Sequence, residues 1–185
     1  MDFFPVLISI LISCTVVATL FLPGIKIGLN TADEGYLHFG SVNLLEGKTP
    51  IRDFRAYDPG RYYWCALWMR SVAPTFTAQR LAMGFIMVLG LSIVCYLVFE
   101  SGQSWTLAIL AAILTLTWMR PYFKAFEILF SLIATTVSFF VIIGPGTTSY
   151  LFSGFMVGVA LFFGLNFGLY MGLSVLLAIL SISSM

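Results

Sequence analysis

The most informative pattern along the chain is where charge is missing. Uncharged, strongly apolar stretches run over 3–25, 81–99, 101–119 and 128–185, each at or above the roughly 18 residues that mark a membrane-crossing helix. Nineteen residues at 1.5 Å rise cover about 28 Å, close to the ~30 Å hydrocarbon thickness of a bilayer. The last stretch is too long for one crossing. Gly144-Pro145-Gly146-Thr147-Thr148-Ser149 and Gly164-Leu165-Asn166-Phe167-Gly168 supply its breaks, which predicts helices near 128–143, 150–163 and 168–183. The last two are short, and two tilted spans joined by a tight turn fit them better than a pair that stops at membrane depth. The first run, Phe3 to Pro23, has no basic leader, and no small-x-small site follows it. It therefore reads as a retained first helix rather than a signal peptide. The expected fold is all-α: a single membrane domain over 1–185, a polytopic transmembrane bundle of about six helices.

Between the first two spans lies a polar loop, 24–80, too long to be without structure. Thr31-Ala32-Asp33-Glu34 has the form of a capping box, and Gly47 offers a left-handed stop, so a helix is expected near 32–46. Asp58-Pro59 places an acid at an N-cap and a proline at the first helical position, predicting a second helix near 59–72. The side chains Tyr62, Tyr63, Trp64, Leu67, Trp68 and Met69 suit the headgroup layer, where Trp and Tyr concentrate.

Composition agrees with this reading. The chain is 60% apolar and 9% charged with net charge +1, whereas soluble domains average about 25% charged residues. A soluble globule, a disordered chain and a nucleic-acid binder are disfavoured. Cys14, Cys65 and Cys95 share no short spacing, so neither a metal site nor a disulfide framework is indicated. Cys14 and Cys95 sit in apolar runs, which leaves Cys65 as the thiol expected to meet a membrane-impermeant reagent.

The series Asp33-Glu34-Gly35-Tyr36, Leu44-Leu45-Glu46-Gly47-Lys48-Thr49-Pro50, Arg52-Asp53-Phe54 and Tyr57-Asp58-Pro59-Gly60-Arg61-Tyr62-Tyr63-Trp64 resembles the first luminal or periplasmic loop of GT-C fold glycosyltransferases. The similarity is to the bacterial branch of protein O-mannosyltransferase-like and lipid A aminoarabinose transferase-like enzymes. It covers roughly residues 5–185, with its specific part at about 33–64. The resemblance implies transfer of a sugar from a polyprenyl-phosphate donor to an extracytoplasmic acceptor, with inversion, in a bacterial inner membrane. It places the catalytic base on Asp33, with Glu34 beside it. Members of that family usually have about twice as many spans, so the resemblance is to their N-terminal part; a fragment, or a chain completed by a second chain, is among the readings left open.

An inverting transfer needs a carboxylate in reach of the acceptor hydroxyl and a cation for the departing phosphate. Lys48, Arg52, Arg55 and Arg61 lie within fourteen residues; Arg61 is the first choice, since guanidinium pairs with phosphate in two places. Asp58, Tyr62, Glu127 and Asn166 complete the candidate substrate-binding set, Asn166 by the resemblance alone. Each has a plainer reading. Asp33, Glu34 and Glu127 fall in first helical turns, where acids are favoured by about 0.3 to 1 kcal/mol. Asp58 serves equally as a cap, the loop cations as partners of lipid phosphates, and lone His38 as a structural residue. No cofactor is called for, and a divalent metal stays open.

Orientation is contested. The loop holds seven of nine Lys and Arg, which by the positive-inside rule would make it cytoplasmic, although that rule applies best to short loops and span ends. The competing function is a non-enzymatic accessory subunit that binds a partner chain or anionic lipid. A transporter is disfavoured, because no ionisable group lies inside an uncharged run.

Overall fold

The computed structural model describes residues 3–120 and 124–183, and among these every named element is a helix. α1 (Phe3–Leu20) ends in one 3-10 turn at Leu22–Gly24, followed by α2 (Asp33–Leu45) and α3 (Pro59–Ser71). Then come α4 (Phe76–Glu100), α5 (Trp105–Met119), α6 (Ala125–Ile143), α7 (Thr147–Phe163) and α8 (Leu165–Ser183). Four helices are long and apolar enough to cross a membrane: α1 with its 3-10 turn, α4, α6 and α8. The chain has the build of an integral membrane protein. The expected connector from Arg120 to Glu127 includes Pro121, Tyr122 and Phe123, which lie outside the described residues.

The two loop helices fall within one residue of expectation, because their signals are local. Gly47 has φ +81, and the Lys48 and Gly47 amides donate to the Asn43 and Leu44 carbonyls, the pattern that closes a helix through a left-handed glycine. The start of α2 differs from expectation. Thr31 does not cap it; the Asn30 Oδ1 accepts from the Ala32 and Asp33 amides, while Glu34 Oε2 accepts from the Asn30 amide at 3.0 Å. The reciprocal pair is thus Asn30 with the expected Glu34, its first member one residue earlier than Thr31. Asp58 likewise makes no side-chain cap on α3.

The spans differ more. The 101–119 stretch yields only 15 residues of helix in α5, because Gly102 (φ +70) turns the chain and Ser104 caps the new start by accepting from the Leu107 amide. At 1.5 Å per residue that is about 22 Å, short of a full crossing. α7 has 17 residues. Conversely, Thr75 caps α4 by accepting from the Ala78 amide, starting that helix five residues before the uncharged run and placing Arg80 inside it.

α4 is the centre of the packing. Its Gly84 faces the Phe21 ring, where an added Cβ would lie 3.1 Å away, and its Gly90 faces the Met119 side chain at 3.0 Å. Ala108 and Ala112, both fully buried on α5, give α5 a flat face of the kind that lets membrane helices approach closely. On the outer surface, Leu165, Leu169, Leu173 and Leu177 of α8 and Leu151 and Phe155 of α7 are exposed. A helix that is apolar on its outer as well as its inner face suits hydrocarbon surroundings. Arg120 Nη2 donates to the Leu20 carbonyl at 2.8 Å and Arg61 Nε to the Phe163 carbonyl at 3.2 Å. The polar loop, the α5–α6 connection and the α7–α8 break therefore meet at one end of the bundle.

α2 packs on α3 through Gly40, where a Cβ would come within 2.2 Å of the Tyr62 ring, whereas at Gly35 it would meet nothing within 4 Å. Gly40→Val is expected to destabilise the purified protein by about 1–3 kcal/mol through overpacking. Gly35→Ala should be neutral or slightly stabilising, since Ala exceeds Gly in a helix by up to about 1 kcal/mol. Thermal unfolding in detergent reads both.

Candidate functional site: a cleft over the bundle end

At that end a cleft of about 610 Å³ opens, lined by Ala32, Asp33, Tyr36 and Leu37 of the α2 segment and Tyr57, Asp58, Arg61 and Tyr62 of the α3 segment. Phe126 and Glu127 of α6 and Asn166 of α8 complete it. Six of the ten residues singled out in the sequence thus converge on one space: Asp33, Asp58, Arg61, Tyr62, Glu127 and Asn166. Asn166 is not in a linker, as expected, but in the first turn of α8. Gly164 alone breaks the chain, its amide closing α7 on the Ala160 carbonyl while its own carbonyl accepts from Phe167 and Gly168.

Asp33 is exposed in the cleft wall. Its carboxylate accepts from the Asn30 side-chain amide at 2.7 Å, which orients it without neutralising it. Arg61 is the cation in the cleft lining, and it is held from several sides. Its Nη2 lies 3.0 Å from the Asp58 carboxylate, its Nε donates to Phe163, and its guanidinium sits 5.6 Å from the Phe126 ring and 4.9 Å from the Phe167 ring. Such ring contacts favour a cation. Gly60 makes this possible, because a Cβ there would lie 2.8 Å from Phe162 and push α3 off the end of α7. Glu127 pairs with Lys124 at 2.8 Å.

Aromatic rings frame the opening. Tyr62 is buried and meets Tyr36 and Phe54 edge-on at 6.1 and 5.9 Å. Burial, with Tyr36 and the nearby Asp58 charge adding to it, pushes the Tyr62 phenol far above its ordinary range, so it stays a neutral donor. The Tyr36 hydroxyl donates to the Arg55 carbonyl at 2.7 Å, tying α2 to the connector.

The remaining candidates lie outside the cleft lining. Lys48 bridges Glu46 and the Asn43 side chain, Arg52 pairs with Asp53, and Arg55 stacks on Tyr57 at 5.1 Å. The Arg52 guanidinium holds the Asp53 carboxyl at about 2.

Glu34, expected beside the base, points the other way. It is buried, and its carboxylate is gripped from both sides by Arg80: Nε to Oε1 at 2.7 Å and Nη2 to Oε2 at 2.8 Å. Arg80 also donates to the carbonyls of Ile25, Ile27 and Gly28, and Gln79 Nε2 to the Glu34 carbonyl at 3.1 Å. Arg80 lies one residue before the uncharged run 81–99 yet inside α4, so that span holds an ionisable group although the uncharged run does not. Arg80 could have been found from the sequence by taking Thr75 as the cap of the second long helix.

His38 stacks on Phe76 at 4.0 Å, in keeping with a structural role. Cys65 is fully buried, and burial pushes its thiol well up; the expectation that it would meet an impermeant reagent fails because α2 covers it. Among the described residues, no group of three or more His, Cys, Asp and Glu is close enough to hold a metal ion. No family model, curated protein or solved structure matches this chain.

Removing one partner of a buried ion pair strands the other, at a cost of about 3–5 kcal/mol. Arg80→Met and Glu34→Gln should each lower thermal stability by that order, and the double variant by less than the sum. A second expectation concerns pH. Burial holds the His38 imidazole below its usual range, with Gln79 partly opposing, while an unfolded histidine titrates near 6.5. Below that value the unfolded chain takes the proton more readily, so this contribution is complete above about pH 6.5 and is lost on acidification. Thermal unfolding at about pH 7.5 and 5.5 should show a drop that His38→Phe diminishes.

Proposed function

We propose that the cleft moves a sugar from a polyprenyl-phosphate donor to an acceptor on the extracytoplasmic side, with inversion. The observation that carries this reading is that an exposed carboxylate, Asp33, and a ring-supported guanidinium, Arg61, line one cleft at the end of a membrane bundle. Its volume falls within the roughly 300–1,000 Å³ of small-molecule sites. Asp33 takes the acceptor hydroxyl proton as that oxygen bonds to the anomeric carbon, and the bond from that carbon to the phosphate oxygen breaks. The charge left on the phosphate goes to Arg61. Asp58 pairs with that guanidinium and gives way to the phosphate, an exchange of one anion for another. Asn166 and Glu127 face the same space and suit hydroxyl groups of a sugar; Tyr36, Tyr57 and Phe126 offer ring faces.

A second reading rests on a specific observation. All nine Lys and Arg residues belong to the cleft end: seven between Lys26 and Arg80, with Arg120 and Lys124 in the connection beside them. By the positive-inside rule this favours a cytoplasmic cleft, suited to anionic lipid or a partner chain rather than to extracytoplasmic transfer.

Two measurements separate them. In membranes supplied with polyprenyl-phosphate sugars, Asp33→Asn should cut transfer about 10²–10⁴-fold, the usual range for a general base, with insertion unchanged; full activity would end the proposal. Arg52→Cys, its side chain 72% exposed outside the cleft, should be labelled by an impermeant thiol reagent on intact cells. Labelling only after lysis selects the cytoplasmic reading.

A further inference from the structure

At the end of the bundle opposite the cleft, a cavity of about 430 Å³ opens between the last turns of α4 and α6. Leu97, Glu100 and the capping Ser101 form one wall, and Thr135, Thr136 and Phe139, with Ile143 at the end, form the other. Phe139 and Ile143 are exposed, so this wall belongs to the outer, apolar surface of the bundle.

The polar atoms the cavity offers are acceptors. The Ser101, Thr135 and Thr136 hydroxyls donate to the carbonyls of Leu97, Ser131 and Leu132, at 2.7, 3.0 and 2.8 Å. Each proton is thereby spent within its own helix, which leaves oxygen lone pairs. Glu100 adds a carboxylate. Its charge runs against the local field, because an acid at a helix C-terminus meets the negative end of the dipole. Both α4 and α6 end beside this cavity, at Glu100 and Ile143. All nine Lys and Arg belong to the opposite end, and among the described residues no ion pair involves Glu100. The site is therefore negative and rich in acceptors, with no cation of its own side chains to answer it.

We propose that this cavity binds the primary ammonium headgroup of an aminophospholipid of the phosphatidylethanolamine type. Three N–H donors on one positive centre match a carboxylate and three hydroxyl oxygens, and the charge suits two helix C-termini. Leu97, Phe139 and Ile143 supply the apolar surface that an acyl chain uses and a free amine does not. The volume falls within the roughly 300–1,000 Å³ of small-molecule sites. A choline headgroup carries the charge without an N–H donor, and a glycerol headgroup leaves the lipid net negative against Glu100. This binding is independent of sugar transfer and of which membrane face the cleft occupies.

Native mass spectrometry of the delipidated full chain in detergent tests it, with phosphatidylethanolamine, phosphatidylcholine and phosphatidylglycerol of identical acyl chains. Phosphatidylethanolamine should bind about tenfold tighter than the other two, the scale of one charge-assisted hydrogen bond. Glu100→Gln should abolish that preference. The double variant Thr135→Val/Thr136→Val keeps the shape, removes two acceptors and should diminish the preference too, so a folding defect in one variant leaves the other. Equal binding of the three lipids, or a preference that survives Glu100→Gln in folded protein, overturns the proposal. Displacement of the lipid by equimolar free ethanolamine assigns the cavity to a soluble amine and overturns the lipid. A co-purifying protein released by Glu100→Gln, with no lipid preference, assigns it to a partner's side chain and overturns it as well.

Discussion

The buried pair of Glu34 and Arg80 is the interaction on which the polar end of this protein depends. A guanidinium four residues into a spanning helix is costly unless its donors are used. Here they are used on the Glu34 carboxylate and three carbonyls of the chain between α1 and α2. That arrangement does more than satisfy a charge. It draws the 25–34 segment down onto α4, sets the first turn of α2, and so directs Asp33, the residue just before Glu34, outward into the cleft. Two adjacent acids with near-identical local surroundings acquire opposite fates: one is an internal tie, the other an open carboxylate.

Arg61 plays a comparable part on the other wall. Its side chain reaches Asp58, the end of α7 and rings from α6 and α8, so a single residue of α3 registers three later helices. The closeness this requires is provided by Gly60. The cleft is consequently built from segments far apart in the chain, and its charge balance is restrained: Asp58 covers Arg61 and Lys124 covers Glu127, while among the described residues Asp33 has an amide donor rather than a cation.

The membrane-embedded part is simpler and follows from small residues. Gly84, Gly90, Ala108 and Ala112 let α1, α4 and α5 approach to side-chain contact, and the serines inside α1 and α6 bond carbonyls one turn back. α6 and α8 are held instead by phenyl stacking and one serine pair.

Much of this was legible in the residues alone, because it is local. Hydropathy located α1, α4, α6 and α8, since a bilayer rewards a long uncharged run, whereas the short α5 and α7 were set by turns and caps. Gly47 and Pro59 set the loop helices, since backbone conformation and a missing amide act within one turn. Asp33, Asp58, Arg61, Tyr62, Glu127 and Asn166 could be nominated from charge and type. Only the tertiary structure decided which nominees share a space and which acid is spent on holding the fold. Glu34 meets Arg80 across 46 residues and Arg61 meets Phe163 across 102. Such partners are chosen by how helices pack rather than by any short-range preference, so no reading of Glu34 and its neighbours alone could have separated it from Asp33.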